Sequence, residues 1–219
     1  ALLHAMRDLP ARTLDGLEMQ LVANIDGPEE LDDALDYGAM GVGLFRTEYL
    51  FMGHTELPSE ETHFKTALEV IERLGGLPAT IRTFDLGADK LAPFVANADL
   101  KEANPALGLR SIRLCLADLG RELFKAQLRG LLRASAFGPL KIMFPMISGA
   151  AELRAAKAIV DEVKAELSAA QVASQDLFRV LAVAQVAQRL VVPQPLQEQD
   201  ALVELVRVLH LVDRLVVLV

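Results

Sequence analysis

Arginines recur where apolar runs end in this chain. Arg46 closes Gly41-Val42-Gly43-Leu44-Phe45, Arg82 lies within Thr80-Ile81-Arg82-Thr83-Phe84, and Arg110 ends Asn104-Pro105-Ala106-Leu107-Gly108-Leu109. A guanidinium is planar, permanently charged, and offers paired N–H donors that match a carboxylate or phosphate. Several converging from separate strand ends would form an oxyanion clamp. A plainer use fits the same residues: Arg46-Thr47-Glu48 and Arg82-Thr83-Phe84-Asp85 each carry an acid nearby, and ordinary ion pairing would account for both.

Few other side chains suggest chemistry. Cys115 sits in Ser111-Ile112-Arg113-Leu114-Cys115-Leu116, flanked by leucines on an expected helix, and reads as a small buried apolar residue. His54 and His63 lie near an acidic helix start, which predicts exposure, and neither has metal-ligand spacing. His4 and His210 have no partner legible in the sequence.

Composition narrows the classes. With 219 residues, 52% of them hydrophobic, the chain can bury a substantial core, and disorder is excluded. A single Cys forbids a disulfide framework and every multi-Cys zinc pattern, so a reducing, cytoplasmic setting is expected. No apolar stretch is long enough to span a membrane, and membrane insertion is not expected. Formal net charge is −8, so there is no basic field to attract nucleic acid. Residues 1–60 carry 12 acids and 3 bases, so an anion would bind there only where individual arginines are focused into a cleft.

The elements that would position the arginines alternate strand and helix. Residues 20–25 read as a strand ending in Asp26-Gly27-Pro28, Glu29–Tyr37 as a short helix ended by Gly38, and Gly41–Phe45 as a second strand. Ser59 is a candidate cap for a helix with Phe64, Leu68, Ile71 and Leu74 on one face, stopped by Gly75-Gly76. Thr80–Phe84 is a third strand. Asn104-Pro105 opens a mostly helical stretch to Ala136, broken near Gly120. Leu140–Ile147 is a fourth strand, apolar enough to be buried on both faces, and Ser148 caps the helix that follows, with Leu153, Ala156, Val160, Val163 and Leu167 inward. From Val180 to Val219 the chain holds 12 Val and 9 Leu, read as a strand at Val180–Ala187, a helix at Asp200–Leu211 and a truncated sixth strand at Leu215–Val219. The class is α/β with right-handed parallel connections, and a (β/α) barrel fits better than a doubly wound sheet, because Gly41-Val42-Gly43 lies inside a strand rather than in a phosphate-cradling turn.

Longer motifs carry a family resemblance. Gly41-Val42-Gly43-Leu44-Phe45-Arg46-Thr47-Glu48-Tyr49-Leu50-Phe51-Met52 with Leu57-Pro58-Ser59-Glu60-Glu61, then Ile81-Arg82-Thr83-Phe84-Asp85-Leu86-Gly87-Ala88-Asp89-Lys90, Asn104–Arg113, Leu131-Leu132-Arg133-Ala134-Ser135 and Ile142-Met143-Phe144-Pro145-Met146-Ile147 resemble the phosphoenolpyruvate-binding domain of the enzyme I family of the bacterial sugar phosphotransferase system. The resemblance implies a (β/α)8 barrel, incomplete here at about five to six βα units, that binds phosphoenolpyruvate with Mg2+ and passes the phosphoryl group to a histidine on a separate domain. It matches Arg46 and Arg82 to substrate-binding arginines, and Arg110 and Lys90 to positions near the phosphate. Asp85 and Asp89 then either orient Arg82 and Lys90 or are solvated loop acids.

The match also implies a division: 1–19 as the end of a preceding linker or helix, 20–178 as the first part of the barrel, and 179–219 as a divergent or truncated segment. Gln185 stands near the position where the family holds its metal with a Glu, no Asn-Asp metal motif follows, and the catalytic residues of the family, a phosphohistidine and a late Cys, have no counterpart. Implied partners are phosphoenolpyruvate, the histidine-containing phosphocarrier protein reached through the other domain, and a second copy of the chain in a homodimer. The expectation is binding without turnover by this chain alone. A pyruvate phosphate dikinase or phosphoenolpyruvate synthase barrel, or a non-catalytic binding protein derived from one, are the alternatives. An interrupted barrel is also expected to leave strand edges unpaired, most sharply at Leu215–Val219, and so to self-associate.

Overall fold

The computed structural model describes residues 7–51, 56–88, 104, 108–172, 179–184 and 215–218. Strand β1 (Gln20–Ile25) leads through a 3-10 turn (Pro28–Glu30) into α1 (Leu31–Asp36) and then β2 (Val42–Arg46). A second 3-10 turn (Thr47–Phe51) precedes α2 (Glu60–Leu74), β3 (Ala79–Arg82), α3 (Ser111–Leu116) and α4 (Asp118–Ala134). The order continues with β4 (Leu140–Ile147), α5 (Ala150–Ala169), β5 (Arg179–Ala184) and β6 (Leu215–Leu218). Every strand pairing is parallel, in one sheet of order β5-β4-β3-β2-β1-β6. The fold is therefore α/β on a parallel sheet, and among the described residues the last strand lies beside the first.

Local chemistry explains the boundaries. Ser59 caps α2 by accepting from the Thr62 N–H at 3.1 Å, Glu60 and Glu61 face the positive end of the helix dipole, and Gly75 ends the helix at φ 57°, where a side chain would be disfavoured. Inward strand residues Ile25, Phe45, Ile81, Ile142 and Phe144 pack against α2, α4 and α5 residues including Leu74, Phe124, Leu128 and Val163, all nearly inaccessible. Aromatic pairs Phe51–Phe84 and Phe124–Phe144 bring ring centroids to 5.6 and 5.8 Å, within the range of favourable tilted packing.

Several local expectations need correction. In β4, Leu140, Ile142, Phe144 and Ile147 are buried, whereas Lys141, Met143 and Met146 are half-buried, so the helices close one face only. Ser148 does not cap α5; its N–H and hydroxyl both donate to Glu152 Oε2, at 2.7 and 2.8 Å, and the N-cap is Gly149. The helical break expected near Gly120 falls at Ala117, extended at ψ 154°. Gly120 lies inside α4 because a Cβ there would overlap the Leu114 carbonyl. Among the described residues of the stretch opening at Asn104, helix begins at Ser111. β6 is not wholly unpaired, since Gln20, Leu21, Val22 and Ala23 of β1 face Leu215–Leu218 in parallel register. The expected helix Asp200–Leu211 lies outside the described residues.

Candidate functional site

Parallel pairing brings the strand C-termini to one edge of the sheet, and that is where the arginines meet. Arg46 is the last residue of β2, Arg82 is the last of β3, and the two are direct register partners. Arg110 joins them through a short antiparallel bridge with Gly87 in the loop that follows β3. The sequence-level reading thus converges on one place for Arg46, Arg82 and Arg110. Lys90, Asp89, Gln185, His4, His54 and His210 lie outside the described residues.

Each guanidinium is held by a carboxylate from the same edge. Arg46 pairs through Nε with Asp26, the residue directly after β1. Arg82 donates from an Nη to Glu48 Oε1 at 3.0 Å and lies 3.6 Å from Asp85 Oδ2. Arg110 donates to Asp85 Oδ1 at 3.0 Å. Asp85 therefore orients two arginines, and its own N–H donates to Glu48 Oε1 at 2.6 Å. The ion-pairing use of these residues is realised, and three cations matched by three carboxylates leave the cluster near neutrality.

Pairing does not exhaust the cluster. Among the described residues, Asn24 Oδ1, Glu48 Oε2, Arg82 Nε and Arg110 Nε are buried with no hydrogen-bond partner. Unmet buried polar atoms each cost about 1–3 kcal/mol, so four around one strand edge mark a place that a polar ligand or ordered water would complete. Arg46 is the accessible member, its side chain 41% exposed against 20% for Arg82, and it could swing from Asp26 to an incoming anion with little packing to undo.

Outside this cluster, burial decides what the remaining candidates do. Cys115 is fully buried, and loss of solvent pushes its thiol well above its ordinary pKa, so it is inert. His63 was expected at the surface but is 1% exposed, with no partner for either ring nitrogen among the described residues; burial pushes its pKa down to about 4 and keeps it neutral.

Sequence reasoning did not single out Asp26, Thr47 or Gln127 at this edge. Asp26 had a signal, since it follows β1 as Arg46 ends β2. Gln127 had one too: it falls three residues after Phe124 and four before Leu131, on the apolar stripe of α4, and a polar residue there needs a partner.

Residues 1–202 match the family model described as PEP-utilising enzyme, PEP-binding domain. The chain belongs to this family. It is 46% identical over 166 residues to the phosphoenolpyruvate-protein phosphotransferase of Staphylococcus epidermidis, covering 75% of this chain and 28% of that protein. The protein of the same name from Geobacillus stearothermophilus is 48% identical over 168 residues, 77% of this chain and 28% of its own length. The chain thus spans little more than a quarter of these relatives.

For a PEP-binding domain, magnesium is the implied cofactor. Among the described residues no three His, Cys, Asp or Glu side chains stand close enough together to hold a metal ion, and Gln185 lies outside those residues. Among the same residues no helix is long and apolar enough to cross a membrane.

Proposed function

We propose that this chain is the phosphoenolpyruvate-binding part of a phosphotransferase that passes a phosphoryl group from phosphoenolpyruvate to a protein histidine for sugar uptake in the cytoplasm. The observation that carries the reading is the placement of Arg46 and Arg82 as register neighbours at parallel strand ends, with Arg110 behind them. Phosphoenolpyruvate bears a carboxylate and a phosphate, and two adjacent guanidiniums can take one anionic group each in bidentate fashion. In the transfer the enol P–O bond breaks, an N–P bond forms on the accepting histidine, and the enolate takes a proton to become pyruvate. Charge neutralisation and positioning are the protein's main contributions to such a step, and these arginines supply both. Lys90 belongs to the proposed set by resemblance alone, as does magnesium, with Gln185 near the position where the family holds it.

The finer fold reading is a (β/α)8 barrel, incomplete at about five to six βα units. It is supported by the wholly parallel order and by β6 lying beside β1, as the last strand of a barrel lies beside its first. The division into 1–19, 20–178 and 179–219 goes with it, as do the phosphocarrier partner and the homodimer. Names of the relatives favour this over a dikinase or synthase barrel.

Titration calorimetry of the 219-residue chain with phosphoenolpyruvate tests the reading. Saturable binding that Arg82→Ala abolishes is expected, and an equal affinity in that variant would overturn it. No pyruvate should be released, because the sequence holds no counterpart of the family's phosphohistidine motif or of its metal ligands; release with Mg2+ would overturn that expectation.

A further inference from the structure

Gln127 projects from α4 into the base of the arginine cluster, where it is fully buried. Its Nε2 donates to Thr47 Oγ1 at 3.0 Å, and its Oε1 accepts from the Phe84 N–H at 3.1 Å. Thr47 in turn donates its hydroxyl to the Arg82 carbonyl at 3.0 Å. That donation fixes the proton order. With its hydrogen committed to Arg82, Thr47 Oγ1 must accept from Gln127, and the Phe84 N–H must find an acceptor, so the buried position demands one donor and one acceptor side by side. A carboxamide supplies both without charge and without having to bind a proton first, as a carboxyl would.

The three bonds join points that matter for the site. Thr47 follows Arg46 directly, the Arg82 carbonyl belongs to the second arginine, and Phe84 precedes Asp85, which holds Arg82 and Arg110. One side chain therefore ties the ends of β2 and β3 together just beyond their last register pair, at the height where strand pairing stops and a loop would otherwise drift.

We infer that Gln127 is a positioning residue that sets the spacing and direction of the Arg46 and Arg82 side chains for a ligand carrying both carboxylate and phosphate. The inference rests on the phosphoenolpyruvate-binding reading for its ligand, but its geometry can be read without one. Gln127 touches no anion itself; it acts through the two strand ends. Replacing it by Met keeps volume and apolar packing while removing the donor and the acceptor.

In the 219-residue chain, Gln127→Met with circular dichroism unchanged should weaken phosphoenolpyruvate binding by about 5- to 30-fold, the size of effect expected when one hydrogen-bonded constraint on two charged groups is lost. The deciding readout is non-additivity. With one arginine removed there is no spacing left to set, so Gln127→Met should change affinity less than twofold in an Arg46→Ala background. An affinity unchanged by Gln127→Met alone, or an equal fold-loss in both backgrounds, would mean a structural role only and would overturn the inference. Should Gln127→Met fail to fold, Thr47→Val breaks the same contact from the other side and is judged by the same pattern. If the wild-type chain binds no phosphoenolpyruvate, the ligand reading falls, and the positioning role is decided by nitrogen-15 NMR of the ligand-free chain: the Arg46 and Arg82 Nε resonances must move together in Gln127→Met, and stationary signals overturn it.

Discussion

Arg46 and Arg82 face one another across two neighbouring parallel strands, each as the terminal residue of its strand. Two like charges in direct register repel, and the chain answers with carboxylates placed one on each, Asp26 for Arg46 and Glu48 for Arg82. The pairs hold the guanidiniums oriented; under the proposed function an incoming anion would displace the acids, and pairing and anion recognition would be successive states of one arrangement.

Arg46→Ala should accordingly weaken phosphoenolpyruvate binding by roughly 1.5–3 kcal/mol, the worth of a charge-assisted hydrogen bond, or about 10- to 150-fold in Kd. Because Arg46 is a half-exposed strand-end residue, its removal should leave the melting temperature within a few degrees of wild type. Calorimetric titration alongside a thermal melt checks both, and an unchanged Kd would reduce Arg46 to a partner of Asp26.

His63 makes stability depend on pH in a known direction. Its pKa is about 4 in the fold against 6.5 when solvated, so the unfolded chain takes up a proton at a higher pH than the folded chain does. Its share of stability is complete above pH 6.5 and is lost as the pH falls from there to 4, by about 3 kcal/mol in all. Urea unfolding of wild type and His63→Leu across that range isolates the term from the carboxylates. Parallel curves would mean the imidazole finds a proton-accepting partner when charged.

How much of this was legible in the sequence depended on how far local pattern decides position. β1 and β4 were readable to the residue, helped by the Asp26-Gly27-Pro28 turn that ends one and the Gly138-Pro139 pair that precedes the other. The face of α2 was misjudged by a fraction of a turn. The stripe expected through Phe64 and Leu68 is in fact His63, Ala67, Val70, Ile71 and Leu74, and that rotation carries a histidine from the surface into the core. Rotation of a helix about its axis is set by what it packs on, here α4, and no local signal contains it. The arginines were found because side chains at strand ends have type and order, whereas Gln127 was missed because its partners lie 43 and 80 residues away in the chain.

Gly130 on α4 shows how close that helix contact is. A Cβ there would lie 2.8 Å from His63 Cβ and from the Phe64 nitrogen, and 2.7 Å from the Glu60 carbonyl, where nothing flexible can move aside. Alanine gains about 1 kcal/mol of helix propensity over glycine, but separating α2 from α4 costs about 1–3 kcal/mol and also pulls on Glu60, which accepts from Arg129 and Arg133 at 2.9 and 2.7 Å. Gly130→Ala should therefore destabilise on balance, by up to about 2 kcal/mol, as read by the midpoint of urea unfolding. A raised midpoint would show that the two helices can part without loss.

The sheet ends on β5 and β6, and among the described residues neither has a neighbour on its outer side. An open parallel edge presents unpaired N–H and C=O groups in a row, ready to pair with another chain. The hazard is greater at β6, since Leu215-Val216-Val217-Leu218-Val219 is uncharged after Arg214 and rich in β-branched residues. Pairing with β1 satisfies one side of this run and holds it in place as a template on the other. The 219-residue chain is therefore expected to associate as its concentration is raised tenfold, seen as a rising sedimentation coefficient. Val217→Lys, which puts a charge in the middle of the run, should suppress that rise while leaving the helical circular dichroism intact. A wild-type chain that sediments as a compact monomer throughout would mean that both edges are covered, and the open-edged sheet would have to be abandoned.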